Sequence, residues 1–382
     1  MRELTSDQTA FRDEVERFVA SEIAPHVREW ELADRYPVEL FKRLGDLGWL
    51  GIGIPEEAGG SGGGAVERCI LFEELSVASA GVALGIYVHA VLAGGALALV
   101  ASDELRNSAL PGVLTGSTIG AWAYAEPDSG ADVTRVRLAA KTTGDTFTLN
   151  GSKLYITNGT IADLILVVAR TSGEPGSLAG ISVFAVDGDT PGLTRTEMDK
   201  LGMDPSKLGE LHFDDVKVPS SRLVGRVDEG FRQCLPVLSQ GRIFGATLAL
   251  GIGRAALDAA VSHTRTREQF GGPMSELQAV RFTLADMAAR LVASRNLVYD
   301  AAGMLDAGSP YDTEASIAKL VASETTTWLA ERAMHLHGAQ GYMMESPVQR
   351  YYRDCKIIEY GEGANEVQRE MIFTALTKGW RP

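Results

Sequence analysis

The clearest strand signal in the chain reads Leu164-Ile165-Leu166-Val167-Val168, followed at a short distance by Ile181-Ser182-Val183-Phe184-Ala185-Val186. Both stretches are short apolar runs rich in β-branched residues, and turn-forming residues separate them. Runs of this length and composition are typical of strands buried inside a protein. The two stretches therefore predict two buried strands near the middle of the chain.

The segments around this pair also have strand character. Phe147 and Leu149 alternate with polar residues, and the stretch from Leu211 to Val218 alternates again. Asn150-Gly151 is a dipeptide typical of a two-residue hairpin turn. We therefore predict a compact β domain over residues 119–228, with a hairpin at Asn150-Gly151.

Helical periodicity dominates on both sides of the β domain. Phe11 and Val15 begin an apolar stripe that predicts a helix within residues 1–118, and the run from Leu277 to Met304 predicts one within residues 229–382. Helices, then strands, then helices are typical of an α+β protein and not of a doubly wound sheet.

The composition argues against a nucleic-acid-binding protein. The chain has 382 residues, 45% of them hydrophobic, and a formal net charge of -14. This hydrophobic fraction is ordinary for a globular protein with a substantial core. Binding to nucleic acid requires a positively charged surface, which the overall charge does not favour.

The cysteines and the N-terminus predict a cytoplasmic protein. Cys69, Cys234 and Cys355 are odd in number and far apart in the sequence, so a reducing compartment is expected. The first residues lack the basic-then-apolar pattern of a signal peptide. The longest apolar run, Ala90 to Val100, is too short for a membrane span and predicts a buried helix.

Near the C-terminus, a carboxylate lies between two glycines in the sequence Tyr360-Gly361-Glu362-Gly363-Ala364-Asn365-Glu366-Val367-Gln368-Arg369. Glycines let the backbone approach a ligand closely, and the apolar stripe that begins at Val367 predicts a helix whose start offers free N–H donors. Glu362 is therefore a candidate proton-abstracting base. The alternative is a structural glutamate at a helix entry, where the macrodipole favours a negative charge.

Other motifs in the chain carry little chemistry. Gly251-Ile252-Gly253-Arg254-Ala255-Ala256 faintly resembles a dinucleotide loop, but it has no strand before it and no glycine at its last position, so close helix packing explains it better. His335 and His337 would lie on different faces of a helix, so no metal site is expected.

Four segments of the chain occur in a characteristic order. They read Ala125-Glu126-Pro127-Asp128-Ser129-Gly130-Ala131-Asp132-Val133; Asn150-Gly151-Ser152-Lys153-Leu154-Tyr155-Ile156-Thr157-Asn158-Gly159; Arg267-Glu268-Gln269-Phe270-Gly271 with Leu277-Gln278 soon after; and His337-Gly338-Ala339-Gln340-Gly341-Tyr342 joined to Pro347-Val348-Gln349-Arg350-Tyr351-Tyr352-Arg353-Asp354 and to Glu362. In this order and spacing the chain resembles the acyl-CoA dehydrogenase family of flavoproteins over essentially its whole length. Each motif alone is weak, whereas their ordered combination is very specific.

The resemblance implies an acyl-CoA dehydrogenase-like α+β fold that encloses FAD. It divides the chain into an N-terminal α-helical domain (1–118), a central β domain (119–228) and a C-terminal four-helix-bundle domain (229–382). Because one FAD in the family is held by two chains, it also implies a homodimer or a homotetramer.

The resemblance further implies which residues hold FAD. The positions that match contacts around the isoalloxazine ring are Trp122, Ala125, Gly130, Ala131, Tyr155 and Thr157. The positions that match contacts to the diphosphate and adenosine, partly in a neighbouring subunit, are Arg267, Phe270, Gln278, His335, Gly338, Ala339, Ala364 and Glu366. Arg267 also has a physical case of its own, because a guanidinium suits a diphosphate. Its alternative is a solvated charge paired with Glu268.

The reaction implied by the resemblance is α,β-dehydrogenation of an acyl thioester. Glu362 would remove the α-proton while flavin N5 accepts the β-hydrogen as hydride, and an electron-transferring flavoprotein or another acceptor would reoxidise the flavin. Arg242 matches an arginine near the family's substrate pocket. The alternative for Arg242 is a charge on a helix surface.

Several positions depart from the family's usual residues. Ala125 and Ala364 replace threonines, Ala131 replaces a serine that often contacts the pantetheine arm, Tyr155 replaces a tryptophan and Ala339 replaces a glycine. These changes leave the base and the diphosphate arginine in place. They leave open whether the thioester carrier is CoA or an acyl-carrier protein.

Two other functions are compatible with the same fold. A flavin-dependent oxidase or monooxygenase is one, although such relatives commonly lack a carboxylate at the position of Glu362. A non-catalytic flavin-binding scaffold is the other.

Overall fold

The computed structural model describes residues 3–381 and begins with a helical region. Its helices are α1 (Ser6–Phe18), α2 (Val27–Leu32), α3 (Glu39–Asp46), α4 (Ala65–Ala78), α5 (Ala80–Tyr87), α6 (Gly94–Val100) and α7 (Asp103–Leu114). π-helical turns at Val19–Ile23 and Val88–Ala93 continue α1 and join α5 to α6. The helix predicted from Phe11 and Val15 is α1, and Val15 is buried in the core.

A single mixed sheet follows the helical region. Its strands are β1 (Gly120–Ala123), β2 (Ala139–Thr143), β3 (Thr146–Thr157), β4 (Leu164–Arg170), β5 (Ile181–Asp187), β6 (Leu193–Glu197), β7 (Leu208–Pro219) and β8 (Leu223–Val224). The order is β6-β7-β3-β2-β4-β5-β8, with β1 paired in parallel to β4. The two predicted buried strands are β4 and β5. They are antiparallel neighbours, with Leu166 opposite Ala185.

The predicted hairpin turn at Asn150-Gly151 is wrong. The chain turns earlier, at Gly144-Asp145 between β2 and β3, and Asn150-Gly151 lies inside β3. There it produces a register shift against β7, where the Asn150 side chain donates to Asp215 Oδ1 at 3.0 Å and accepts from Asp215 N at 2.9 Å. Gly151 has a φ of 139°. The dipeptide departs from regular strand geometry, and here that departure forms a β-bulge instead of a chain reversal.

The C-terminal region is helical again. Its helices are α8 (Gly230–Thr266), α9 (Gln278–Asp306), α10 (Asp312–His337), α11 (Pro347–Ile358) and α12 (Asn365–Thr377), and a short hairpin of β9 (Glu268–Gln269) and β10 (Gly272–Pro273) joins α8 to α9. Helices α8 and α10 pack against each other and against both α9 and α11, and α12 packs on α10. The predicted α+β fold with a C-terminal helical bundle is confirmed.

Helix α8 also joins the C-terminal region to the N-terminal helices by packing on α4. A Cβ on residue 251 would lie 2.5 Å from the Glu73 carbonyl oxygen, so only glycine permits this close approach. Thr247 donates to Cys69 Sγ at 3.3 Å across the same contact. Close helix packing, as predicted, therefore explains the glycine at 251. Gly253 faces α9 and α10, where an added Cβ would lie 3.2 Å from Thr326 Oγ1.

Two helical stretches have the length and hydropathy of a membrane span. They are Ala80–Val100 and Gly230–Thr266, and in each 78% of the most apolar window is buried within the protein. Both stretches are core helices of this fold, and the predicted buried helix at Ala90–Val100 is confirmed as part of the first.

Candidate active site

Glu362 lies on the loop between α11 and α12, and its side chain turns toward α8. Its φ of 54° is left-handed, an uncommon conformation for a residue with a side chain. A Cβ on residue 241 would collide with Glu362 Oε2, and one on residue 245 would lie 3.0 Å from Glu362 Cγ. Gly241 and Gly245 therefore leave the space that the carboxylate occupies. The helix-entry alternative is wrong, because α12 starts only after its N-cap residue, Ala364.

Lys319 of α10 anchors this loop from inside the protein. It is fully buried, and its Nζ donates to Gly363 O at 2.8 Å and to Asn365 Oδ1 at 2.9 Å. Gln368 of α12 adds a bond from Nε2 to Gly363 O at 3.0 Å. Together these donors fix the backbone on which Glu362 stands. The sequence predictions missed Lys319, because nothing in the chain marks a lysine 44 residues away as a partner of this loop.

The electrostatic surroundings make Glu362 easier to protonate. Burial raises the pKa of Glu362 to about 7, against smaller opposing contributions from the Tyr87 hydroxyl, Lys319 and Arg242. Burial also lowers the pKa of Lys319 to about 8, although Glu362 opposes that change. A carboxyl group with a pKa near neutrality can both take up and release a proton at working pH.

Arg242 lies next to Gly241 on α8 and is only 5% exposed. Its Nη2 is 2.6 Å from Asp312 Oδ1, and its Nη1 donates to Ser316 Oγ at 2.8 Å. The alternative of a helix-surface charge is therefore wrong. The guanidinium links α8 to α10 and adds a positive charge to the surroundings of Glu362.

The residues predicted around the isoalloxazine ring come together at one end of the sheet. The segment after β1 contacts β3 through a bond from Leu154 N to Ala125 O at 2.9 Å. A register shift between Lys153 and Ile156 leaves Tyr155 with a φ of 60° and 61% exposed. The six predicted residues lie in three places. Trp122 is buried in β1, and Tyr155 and Thr157 lie in β3. Ala125, Gly130 and Ala131 lie in the loop that follows β1.

The residues predicted for the diphosphate and adenosine form a second group at the ends of α8 and α10. The rings of His263 and His337 stack at 4.1 Å and join these two helix ends. Arg267 directly follows α8, Phe270 lies in the β9–β10 turn and is 93% exposed, and Gln278 begins α9. His335, Gly338 and Ala339 are exposed at the end of α10. Within residues 3–381, no ion pair of 4.0 Å or less joins Arg267 to Glu268.

Ala364 and Glu366 lie at the start of α12. Ala364 is the N-cap residue, and Glu366 is exposed in the first turn. Glu366 lines a surface cavity of about 420 Å³ together with Tyr360 and Arg369.

Family comparisons account for nearly the whole chain. Residues 5–117 match the model for the N-terminal domain of acyl-CoA dehydrogenase, residues 121–216 match its middle domain and residues 228–377 match its C-terminal domain. The chain belongs to the acyl-CoA dehydrogenase family. It is an oxidoreductase of the type that acts on CH–CH groups, and its reaction is acyl-CoA dehydrogenation.

Individual members of the acyl-CoA dehydrogenase family align over the full length. An acyl-CoA dehydrogenase of Bacillus subtilis (strain 168) is 38% identical over 377 residues, which cover 98% of this chain and 99% of the relative. The structure of butyryl-CoA dehydrogenase from Megasphaera elsdenii matches with a TM-score of 0.94 and 36% identity, covering 99% of this chain and 100% of that one. A chain from the study of the electron-transferring flavoprotein of Acidaminococcus fermentans matches with a TM-score of 0.95 and 36% identity, covering 98% and 99%.

Acyl-CoA dehydrogenases use FAD, and this chain does so too. The residues present fit the cofactor. Tyr155 exposes an aromatic face on which a flat ring can stack, and no atom lies within 4 Å of a Cβ built on Gly130, so the adjoining loop leaves open space. Arg267 offers an exposed guanidinium to a diphosphate.

Proposed function

We propose that this chain catalyses α,β-dehydrogenation of an acyl thioester, with Glu362 as the base that removes the α-proton. One observation carries the proposal: the carboxylate of Glu362 fills the gap left by Gly241 and Gly245, in surroundings that raise its pKa to about 7. A base that is anchored, partly desolvated and half-ionised near neutral pH suits abstraction of a weakly acidic C–H proton.

The backbone of Glu362 supports the same role. Within residues 3–381, the N–H of Glu362 donates to no acceptor, so it is free to bind an incoming oxygen. Negative charge develops on the thioester oxygen when the α-proton leaves, and a preorganised N–H donor stabilises that charge. FAD, when bound, supplies the acceptor for the two electrons and the β-hydrogen. Glu362 thus contributes both the proton acceptor and an oxyanion donor.

The two groups of predicted residues have separate tasks in this proposal. Those at the end of the sheet hold the isoalloxazine ring, and those at the ends of α8 and α10, with Ala364 and Glu366, hold the diphosphate and adenosine. Arg242 lies beside the substrate pocket and keeps its positive charge near Glu362. If the residues at the ends of α8 and α10 bind the FAD of a neighbouring subunit, the protein is a homodimer or a homotetramer.

Several further features belong to the proposal. The thioester carrier is CoA or an acyl-carrier protein, the electron acceptor is an electron-transferring flavoprotein or another carrier, and the protein is cytoplasmic. We place the domain limits after residues 118 and 228, supported by the start of β1 at Gly120 and of α8 at Gly230.

Anaerobic flavin bleaching tests the reaction. The FAD-bound protein is mixed with a panel of acyl-CoA and acyl-carrier-protein thioesters, and loss of flavin absorbance is followed in the wild type and in Glu362→Gln. We expect Glu362→Gln to retain FAD and fold but to bleach at least about 100-fold more slowly, as removal of a catalytic base does. Glu345→Gln, at an exposed glutamate outside the site, is the matched control.

Three results would contradict the proposal. Unchanged bleaching in Glu362→Gln would exclude this residue as the base. If none of the thioesters bleaches the wild-type flavin, but the reduced flavin reacts with oxygen, the oxidase or monooxygenase function is favoured. If the wild type takes up no flavin, catalysis through FAD is excluded.

A further inference from the structure

The hydroxyl of Tyr87 is a buried donor without an acceptor. Tyr87 is fully buried at the end of α5, and among residues 3–381 its hydroxyl makes no hydrogen bond. Buried polar groups are nearly always paired, because an unpaired one loses its bond to water and gains none in return. The hydroxyl therefore requires an acceptor in some state of the working protein.

The Tyr87 hydroxyl borders the carboxylate of Glu362. A Cβ on residue 241 would lie 2.7 Å from the Tyr87 hydroxyl and would also collide with Glu362 Oε2, so both groups border the space of the same missing Cβ. The ring of Tyr87 packs edge-on against Phe72, with 5.8 Å between the ring centroids. This contact fixes the direction of the hydroxyl, whereas rotation of the Glu362 side chain can turn one carboxylate oxygen toward it.

The other charged groups near Glu362 are held by partners of their own. Lys319 of α10 donates to three oxygens between the end of α11 and the start of α12. Arg242 of α8 is bound to two side chains of α10. Arg68 of α4 lies near Tyr87, but a guanidinium only donates and cannot be the acceptor of the hydroxyl. The Glu362 carboxylate is the acceptor that the surroundings of Tyr87 offer.

Both groups have the protonation states that such a bond requires. Burial, and then the nearby Glu362, raise the pKa of Tyr87 well above its usual value, so the phenol keeps its proton. Burial raises the pKa of Glu362 to about 7, and the Tyr87 hydroxyl makes the largest opposing contribution, ahead of Lys319 and Arg242. A donor that binds a carboxylate favours its ionised form.

We propose that Tyr87 is a positioning residue for the base: its O–H binds one oxygen of the ionised Glu362 carboxylate and leaves the other oxygen directed at the substrate. This inference rests on the proposed function. Each carboxylate oxygen can accept, so the bond to Tyr87 does not occupy the oxygen that takes the α-proton. The bond keeps more of the base ionised at and below neutral pH and restricts the rotation of its side chain.

The pH dependence of flavin bleaching tests the inference in Tyr87→Phe, which removes only the hydroxyl. With the thioester that bleaches the wild-type flavin fastest, kcat/KM is measured between about pH 5.5 and 9.5. We expect the inflection to move up by about one pH unit, because one hydrogen bond to a charged group is lost. The value of kcat/KM should then fall about tenfold near pH 6 and by less than about twofold above pH 9.

Tyr36→Phe is the matched control for this measurement. Tyr36 is only 3% exposed, and its hydroxyl donates to Val82 O of α5 at 2.9 Å. The control therefore also removes a buried hydroxyl that packs on α5, but not one that borders Glu362. Its inflection should stay at the wild-type pH.

Thermal unfolding provides a second measurement that needs no substrate. Tyr87→Phe should lose stability relative to the wild type as the pH rises from about 5 to about 9, because only the ionised carboxylate gains the charge-assisted bond. In a Glu362→Gln background, the effect of Tyr87→Phe should not change with pH.

The possible results separate this inference from the proposed function. If Tyr87→Phe slows bleaching equally at all pH values, with the inflection unmoved, the inference is overturned and the proposed reaction is left intact. An effect on unfolding that is independent of pH in the wild-type background overturns it as well. If no thioester bleaches the wild-type flavin, the proposed function fails, and the unfolding comparison alone decides whether Tyr87 binds the Glu362 carboxylate.

Discussion

Glu362 stands on a loop that other residues hold in place, and its backbone conformation is left-handed. The carboxylate is thereby directed at the glycine gap of α8, away from the axis of α12. In the proposed mechanism its protonation state controls the reaction. The same protonation also contributes to the folding free energy, and each effect has its own dependence on pH.

The reaction rate is expected to rise with pH around the pKa of Glu362. Because only the ionised carboxylate can accept the α-proton, and its pKa in the protein is about 7, kcat/KM for flavin bleaching should increase about tenfold per pH unit below pH 7 and level off above it. Rapid-mixing measurements between about pH 5.5 and 8.5 check this. A flat profile over that range would show that another group limits proton removal.

Stability should respond to Glu362 in the opposite sense. The pKa is raised from 4.5 to about 7 on folding, so the folded state favours the protonated form. The favourable contribution of the protonated form is fully present below the unfolded pKa and is lost as pH rises through the folded pKa. Glu362→Gln, which is neutral throughout, should therefore be more stable than the wild type at pH 8 by on the order of 1–3 kcal/mol and equal to it near pH 4.5.

Thermal unfolding at several pH values measures this difference. Glu345→Gln should show no pH-dependent gain, because that side chain is exposed. An equal effect of Glu362→Gln at acid and alkaline pH would mean that the carboxylate is not destabilised by burial.

The sequence is enough to single out Glu362 as a candidate base, but it does not indicate which residues hold its loop in place. The Gly-Glu-Gly pattern and the order of four motifs are local features, readable along the chain. Lys319 acquires its role from a partner far away in the sequence, because its Nζ binds a carbonyl 44 residues later. No periodicity distinguishes such residues from ordinary core positions.

At the scale of elements, α9 and α4 are joined by one carboxylate. Asp306, the last residue of α9, accepts from Ala65 N at 2.5 Å and from Val66 N at 3.1 Å, and so satisfies two of the free donors at the start of α4. The N-cap residue of α4 is Gly64, which has no side chain to do this. The cap is therefore supplied by a different helix.

Asp306→Ala should destabilise the protein by about 1–2 kcal/mol, the usual cost of removing a helix N-cap. The loss is measured as a decrease in the denaturant midpoint. Asp300→Ala, at an exposed residue on the same helix, should have little effect. Equal behaviour of the two variants would show that the contact between α9 and α4 contributes nothing to stability.

The order of helices, strands and helices could be predicted because each element carries its own periodicity. The buried runs at β4 and β5 are an example, since their β-branched composition is enough to identify them. The turn at Asn150-Gly151 could not be predicted, because a hairpin and a β-bulge use the same backbone freedom. Only the partner strand β7, about 60 residues later, selects between them.

At the scale of the whole molecule, the exposed hairpin between α8 and α9 is expected to join cofactor binding to assembly. Arg267 and the 93% exposed ring of Phe270 lie together on this hairpin. If the FAD of a neighbouring subunit binds here, as proposed above, the same hairpin serves both cofactor binding and assembly.

Arg267→Ala should therefore weaken FAD retention and subunit association together, with about a tenfold or greater loss of FAD affinity as expected for a charge-assisted contact. The ratio of flavin to protein after gel filtration and the mass from light scattering provide the two measurements. Arg265→Ala, an exposed arginine on the last turn of α8, is the control. Unchanged FAD affinity in Arg267→Ala would exclude the diphosphate role.

The packing of α8 on α4 also has a consequence for how the protein is made. Helices α4 to α6 leave the ribosome before α8, and the entire sheet is synthesised in between. At typical translation rates, roughly 10 seconds or more pass before Gly251 and Thr247 can cover the side of α4 that they contact. During that interval the nascent chain presents a long hydrophobic surface to the cell. We therefore expect the yield in expression to depend on chaperone capacity, and residues 1–118 produced alone to keep that surface exposed.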